Sequence, residues 1–280
     1  MAVDFPYLDI SNCNASVRIA QNGAQIFGFD RVGEAPVIWI SPKAIYKKGF
    51  PLRGGIPICW PWFGPHPEGK EKPQHGFVRI MPWELKDFSE SDKGVTRSSF
   101  SLSESKDTLR FWPYRFRLTL SVEVSKALTI RLTTENTDDK PFEITQALHT
   151  YFFVGDVHDI EIQGLDGHEY VDKVKGGKEG CQKGSLVIKS ETDRVYRHKG
   201  RCRLLDKRLD RVIVIDKKGS GSTVVWNPWK EKARQMADFP DDGFRNMVCI
   251  EAANTMEDRV RIEPGQDFTL EKRIEVFPLQ

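Results

Sequence analysis

The sequence predicts an all-β fold: a large antiparallel β-sandwich over 1–280, forming one domain with few, short helices. Three observations predict it. Apolar and polar residues alternate with period two over long runs, as strands with one buried and one wet face require. Helical periodicity is scarce and confined to 228–236, where the leading proline suits a first helical turn. No repeat, low-complexity segment or compositional shift marks a linker, and a single β domain of about 200–250 residues or somewhat more is ordinary.

Taken in order, strands are expected at 17–20, 37–40 and 98–102. The clearest alternation sets Phe116, Leu118, Leu120, Val122 and Val124 against Arg115, Arg117, Thr119, Ser121, Glu123 and Ser125. The pattern resumes over 128–132 after a short turn, which makes a hairpin. One strand is expected over 142–153, then others at 160–163, 185–189, 211–216, 222–226 and 246–252. Lys217-Lys218-Gly219-Ser220-Gly221 reads as a hairpin loop between two of these. Near the C-terminus Phe268, Leu270, Ile274 and Val276 alternate with polar residues, and Lys272 interrupts the apolar face.

Composition narrows the function. A net charge of +2, from 42 basic and 40 acidic residues, argues against nucleic acid or a membrane as a partner held by bulk charge. The five cysteines (Cys13, Cys59, Cys181, Cys202, Cys249) are scattered and lack a CxxC pair. That opposes a zinc knuckle or a disulfide framework and favours a reducing compartment. The N-terminus lacks a basic stretch followed by an apolar run, and no apolar stretch reaches membrane length. A cytoplasmic monomer is expected. Phosphate-binding glycine loops, a GxSxG elbow and HxH or HExxH metal spacings are missing, so no cofactor or metal is expected. Hydrolysis by paired carboxylates stays open.

Two places carry unusual residues. The stretch 52–65, with Pro57, Pro61, Pro65, Gly54, Gly55 and Gly64, can be neither a helix nor a central strand. It holds Trp60, Trp62 and Phe63, begins at Arg53, and leads to His75 and Arg79. Aromatics framed by cations suit a planar-faced anion such as a phosphorylated sugar, or else the aromatics plug one end of a sandwich. Further along, alternation places Phe142, Ile144 and Leu148 on one face and Thr145, Ala147, His149 and Tyr151 on the other. His149 there is either a structural histidine or a proton donor. Glu251 closes an apolar strand beside Ala252 and Ala253, a setting that demands a partner, exposure or a function. Asp193 reads as a turn residue at a strand entry, and Trp226-Asn227-Pro228-Trp229 as a second aromatic turn.

Together Arg53-Gly54-Gly55-Ile56-Pro57-Ile58-Cys59-Trp60-Pro61, His75-Gly76-Phe77-Val78-Arg79, Leu148-His149-Thr150-Tyr151-Phe152, Thr192-Asp193-Arg194-Val195-Tyr196, Trp226-Asn227-Pro228 and Ile250-Glu251 resemble the D-hexose-6-phosphate mutarotases. These form the glucose-6-phosphate 1-epimerase branch of the aldose 1-epimerase group. The resemblance implies a galactose mutarotase-like supersandwich that interconverts hexose 6-phosphate anomers in an open cleft. It implies catalysis by His149 and Glu251, and substrate binding by Arg53, His75, Arg79 and Asp193. Trp60, Trp62 or Trp226 would stack on the sugar ring. A phosphorylated hexose is the expected partner. A carbohydrate-binding sandwich without turnover, and a mutarotase for neutral aldoses, are the alternatives.

Overall fold

Alternation becomes packing in the strand Phe116–Val124. Its five apolar residues are at most 1% exposed, while the residues between them reach solvent. The computed structural model describes residues 6–66, 69, 72–91 and 94–279; residues 1–5, part of the N-terminal reading, lie outside these.

Two eight-stranded antiparallel sheets share one core. The first runs Lys178–Cys181, Glu169–Asp172, Thr192–Arg197, Ser222–Asn227, Met247–Asn254, Gln146–Leu148, Ile58–Cys59, with Tyr151–Phe153 also paired to Met247–Asn254. The second runs Ile160–Gln163, Cys202–Asp206, Arg211–Lys218, Asp267–Pro278, Ala127–Asn136, Phe116–Val124, Val95–Ser103, Glu84–Ser91. Tyr7–Ser11, Ala15–Ala20 and Ile26–Arg31 form a three-stranded sheet. The two α-helices among the described residues are Lys106–Phe111 and Trp229–Gln235, the second close to its expected bounds. Lys106–Phe111 is too short to show periodicity. It is marked by its start, where the Ser105 hydroxyl accepts from the Thr108 amide at 3.3 Å.

Several expectations need correction. The 142–153 stretch is broken: Phe142–Ile144 pairs with Val260–Ile262 in a separate two-stranded sheet. Gln146–Leu148 and Tyr151–Phe153 then pair with Met247–Asn254 on either side of an interruption at His149 and Thr150. The 217–221 segment closes no hairpin. Arg211–Lys218 and Ser222–Asn227 belong to different sheets, and Lys217 Nζ holds the crossing by donating to His198 O (2.6 Å), Ser220 Oγ (2.9 Å) and Ser222 O (2.7 Å). The 37–40 and 185–189 stretches make only isolated bridges, such as Ile38 to Phe152 and Leu186 to Ile162. Asp193 lies inside the strand Thr192–Arg197, and Glu251 lies within Met247–Asn254, three residues before its end.

The stretch 52–65 contributes only the two-residue edge strand Ile58–Cys59. Its return is pinned by a close approach: a Cβ on Gly76 would meet the Trp60 carbonyl oxygen at 1.8 Å, so only glycine fits. Beside it, His75 sits at φ +60°, in the left-handed region that a non-glycine residue rarely adopts. Among the described residues no helix is long and apolar enough to cross a membrane. All five cysteines are free thiols.

Candidate active site

Strand pairing in the first sheet sets out the floor of a cleft. Glu251 stands opposite Val224, and Trp226 opposite Asp193, so alternation turns all four toward one face. His149 and Tyr151 join them from the chain on the other side of the Met247–Asn254 strand. Arg53, Phe63, Gln74, His75 and Arg79 form a wall, and Lys173, Lys232 and Asp238 complete the rim. The enclosed volume is ≈ 410 Å³, within the range of about 300–1,000 Å³ usual for small-molecule sites.

His149 Nε2 lies 3.4 Å from Glu251 Oε1. Both residues are buried, and the remaining atoms His149 Nδ1 and Glu251 Oε2 have no hydrogen-bond partner among the described residues. Such atoms are costly unless a ligand or water meets them. The His149 ring stacks on Tyr151 at 4.9 Å and 11°, and Tyr151 stacks in turn on Trp39 at 5.9 Å. This ladder fixes the imidazole plane.

Burial dominates the electrostatics. It raises the Glu251 carboxyl well above its ordinary value, assisted by the charge of Asp193 and opposed by Lys173 and Lys272. It pulls His149 down to about 3, with Arg79 and then Arg53 pushing the same way. It likewise lowers His75, which Arg79 and His149 lower further. Since His75 Nδ1 accepts from the Gly64 amide at 3.1 Å, the neutral ring carries its proton on Nε2. Asp193 is raised by burial, against the pull of Lys173 and Lys232.

The arginines are held differently. Burial alone would lower Arg53, but Tyr151 and Asp238 outweigh it: Nε donates to Asp238 Oδ1 at 3.1 Å and Nη1 to Tyr151 Oη at 3.3 Å. Arg79 lies on a 3₁₀ turn, Val78–Ile80, and its Nη2 donates to the Gln74 carbonyl at 2.6 Å. Its buried Nε has no partner among the described residues, and burial lowers its pKa. A half-buried guanidinium with a free donor has the chemistry to take an anion.

The family model described as aldose 1-epimerase matches residues 7–275. The chain belongs to the aldose 1-epimerase family. Consistent with this, it is 37% identical over 259 residues to an Escherichia coli K12 protein named "Putative glucose-6-phosphate 1-epimerase", covering 92% of this chain and 83% of that one. The crystal structure titled "a putative mutarotase (YeaD)" from Salmonella typhimurium superposes with a TM-score of 0.93 at 33% identity, covering 99% and 92% of the two chains. A galactose mutarotase-like protein from Lactobacillus casei shares the fold alone, with a TM-score of 0.77 at 16% identity over 97% of this chain and all of that one.

Within this aldose 1-epimerase, seven of the nine residues singled out from sequence line one cleft: Arg53, His75, Arg79, His149, Asp193, Trp226 and Glu251. Trp60 and Trp62 do not. Trp60 is fully buried, donates from Nε1 to Thr134 Oγ1 at 3.1 Å, and packs against Phe77, Trp112 and Phe116, so no sugar can stack on it. Trp62 is buried too, with Nε1 tied to the Pro73 carbonyl. The plug reading was right for these two rings, and Trp226 and Phe63 remain as the aromatic surfaces of the cleft.

Lys173, Lys232 and Asp238 were missed, because each lies in a polar segment where nothing in the local pattern distinguishes it. Lys173 Nζ sits over the Phe63 ring at 5.2 Å from its centroid. Donor atoms of His149, Cys249 and Glu251 lie within 4.8 Å of one another, the one such three-donor group among the described residues. Arg79, Arg53 and Lys272 all act on the same His149, a positive field that favours an anion over a dication.

Proposed function

We propose that this epimerase interconverts the α and β anomers of hexose 6-phosphates, glucose 6-phosphate foremost, by general acid–base ring opening and closure. One observation carries the reading: a His149–Glu251 contact of 3.4 Å shares its cleft with two arginines, one of which has a buried Nε without a partner among the described residues. The name given to the Escherichia coli relative supports the same substrate.

In this mechanism Glu251 takes the proton of the C1 hydroxyl while His149 delivers one to the ring oxygen, and the bond from C1 to that oxygen breaks. The resulting aldehyde rotates about C1–C2, and closure on the other face runs both transfers in reverse. Each positioned transfer contributes about 10²–10⁴-fold. Arg53 and Arg79 hold the phosphate, Asp193 accepts from sugar hydroxyls, His75 donates from Nε2–H, and Trp226 offers a face to the apolar side of the ring.

The protonation states follow from the surrounding charges. Burial by itself favours neutral His149 and protonated Glu251. The working pair differs from this only by one proton moved across the 3.4 Å contact. After burial, the charges that most oppose His149 protonation are Arg79 and Arg53, the groups assigned to the phosphate. A bound phosphate cancels them, and Lys173 and Lys272 draw Glu251 toward its ionised form. The phosphate therefore raises turnover as well as affinity.

The reading carries with it a cytoplasmic enzyme acting as a monomer and a single domain. NMR exchange between α- and β-glucose 6-phosphate, run beside galactose, tests it. Enhancement on the phosphosugar that exceeds that on galactose is expected. Binding without enhancement would favour the lectin reading, and equal enhancement would remove the role of the arginines.

A further inference from the structure

Lys272 is the residue that breaks the apolar alternation of Asp267–Pro278, and no step of the chemistry above requires it to touch substrate. It is fully buried on the inner face of the second sheet, in line with Leu270 and Ile274 and opposite Ile130 and Lys217 on the neighbouring strands. An ammonium in that position is strongly unfavourable unless its donors are met. They are met from the other sheet. Nζ crosses the core to donate to Thr150 Oγ1 at 2.7 Å and to the Ile250 carbonyl at 2.5 Å, and it lies 5.1 Å from the Phe152 ring centroid.

These two acceptors flank the reacting pair. Thr150 follows His149, and Ile250 precedes Glu251. They also occupy the interruption in the strand pairing. Leu148 pairs with Ala252 and Tyr151 with Cys249, which leaves His149 and Thr150, outside the named strands, opposite Glu251 and Ile250 of Met247–Asn254. Across that gap the Ile250 amide reaches the Thr150 carbonyl at 3.3 Å, a long backbone bond.

We infer that Lys272 is a positioning residue of the epimerase. Its ammonium ties the Thr150 hydroxyl and the Ile250 carbonyl behind the His149–Glu251 contact and sets a buried positive charge behind the carboxylate. The inference rests on the reading of Glu251 as the base. Glu251 and Cys249 of the first sheet and Cys202 and Lys217 of its own act electrostatically on Lys272, which in turn acts on His149 and, with Asp193 and Lys173, on Glu251. Burial pulls Lys272 down to about 7, and Glu251 is the strongest of the groups drawing it back up. Lys272 is therefore charged on the acid side of neutrality, where Glu251 most needs a countercharge, and loses that charge above it.

The test compares rate–pH profiles for glucose 6-phosphate anomer exchange in the wild type, Lys272→Met and Thr150→Val. Lys272→Met should lower kcat at least about tenfold with KM changed less than about threefold, because the lost interaction bears on the reacting pair rather than on binding. Its acid limb should move up by about one pH unit, since Glu251 loses a stabilising charge. Thr150→Val keeps the charge, so it should lower kcat while leaving the acid limb in place. A Lys272→Met enzyme with wild-type kcat and acid limb, even if less heat-stable, would overturn the inference.

A second measurement needs no Lys272 variant to fold. With ¹³C-labelled lysine and saturating inorganic phosphate, which in this account leaves Glu251 ionised, the Lys272 midpoint should fall in Glu251→Gln, where the anion holding it up is gone; an unmoved midpoint overturns the coupling. The two readings fail separately. Normal turnover in Glu251→Gln removes the base assignment, whereas an inactive Glu251→Gln beside an unaffected Lys272→Met removes only the inference.

Discussion

The two halves of the cleft are built by different means. On the loop side, Arg53 and Arg79 are aimed by side-chain and carbonyl contacts to Asp238, Tyr151 and Gln74 from a segment with a two-residue strand. On the sheet side, His149 and Glu251 are carried by the paired strands around Met247–Asn254 and braced from behind by Lys272. The difference matches the tasks. A phosphate tolerates small changes in the direction of a charge, whereas proton transfer demands a fixed contact of two atoms. Recognition can thus sit on loops, and chemistry needs the rigid scaffold.

The sharpest way to break this comparison is on the sheet side. Glu251→Gln should cut kcat by about 10²–10⁴-fold while phosphosugar binding survives, measured by NMR exchange and by calorimetry. Near-normal turnover would show that the strand-borne pair is not the chemical centre.

The next test separates two tryptophans that look alike in sequence. Trp60→Ala should destabilise the fold by about 3–5 kcal/mol in chemical denaturation, the usual cost of a large core truncation. Trp226→Ala should cost much less stability and raise KM instead. If Trp60→Ala chiefly raised KM, its placement in the core would be wrong.

On the loop side, Arg79→Ala should weaken phosphosugar binding by about 10–100-fold, the equivalent of one charge-assisted hydrogen bond lost, with little change for neutral sugars. Asp238→Asn should be the mildest: Arg53 keeps Tyr151 but loses a partly exposed ion pair, so KM should rise by a factor of about two to five. An Asp238→Asn effect larger than that of Arg79→Ala would reverse the ranking of the two arginines.

Much of this was legible in the chain. Period two gave the long strands, because a strand buried on one face must alternate, and Phe116 to Val124 does so without exception. His149, Glu251 and the arginines stood out because each is a polar group in a setting that ordinary packing does not explain. What escaped depends on distance in sequence. The 217–221 segment has the composition of a hairpin loop, but only the sheets reveal that it crosses between them. Trp60 and Trp226 both lie next to prolines and other aromatics in the sequence, and only burial tells a core ring from a cleft wall. Lys173 and Asp238 carry no local signal. Lys272 was visible as a break in a pattern, but its partners Thr150 and Ile250 lie more than a hundred and about twenty residues away, respectively.

The central claim is that an anion bound by the loop side resets the protonation of the sheet side. The most direct measurement is the titration of the His149 ring by NMR, with and without saturating inorganic phosphate. Burial, Arg79 and Arg53 hold His149 at about 3, so cancelling the arginines should move its midpoint upward, by about one unit or more. A midpoint unchanged by bound phosphate would contradict the account.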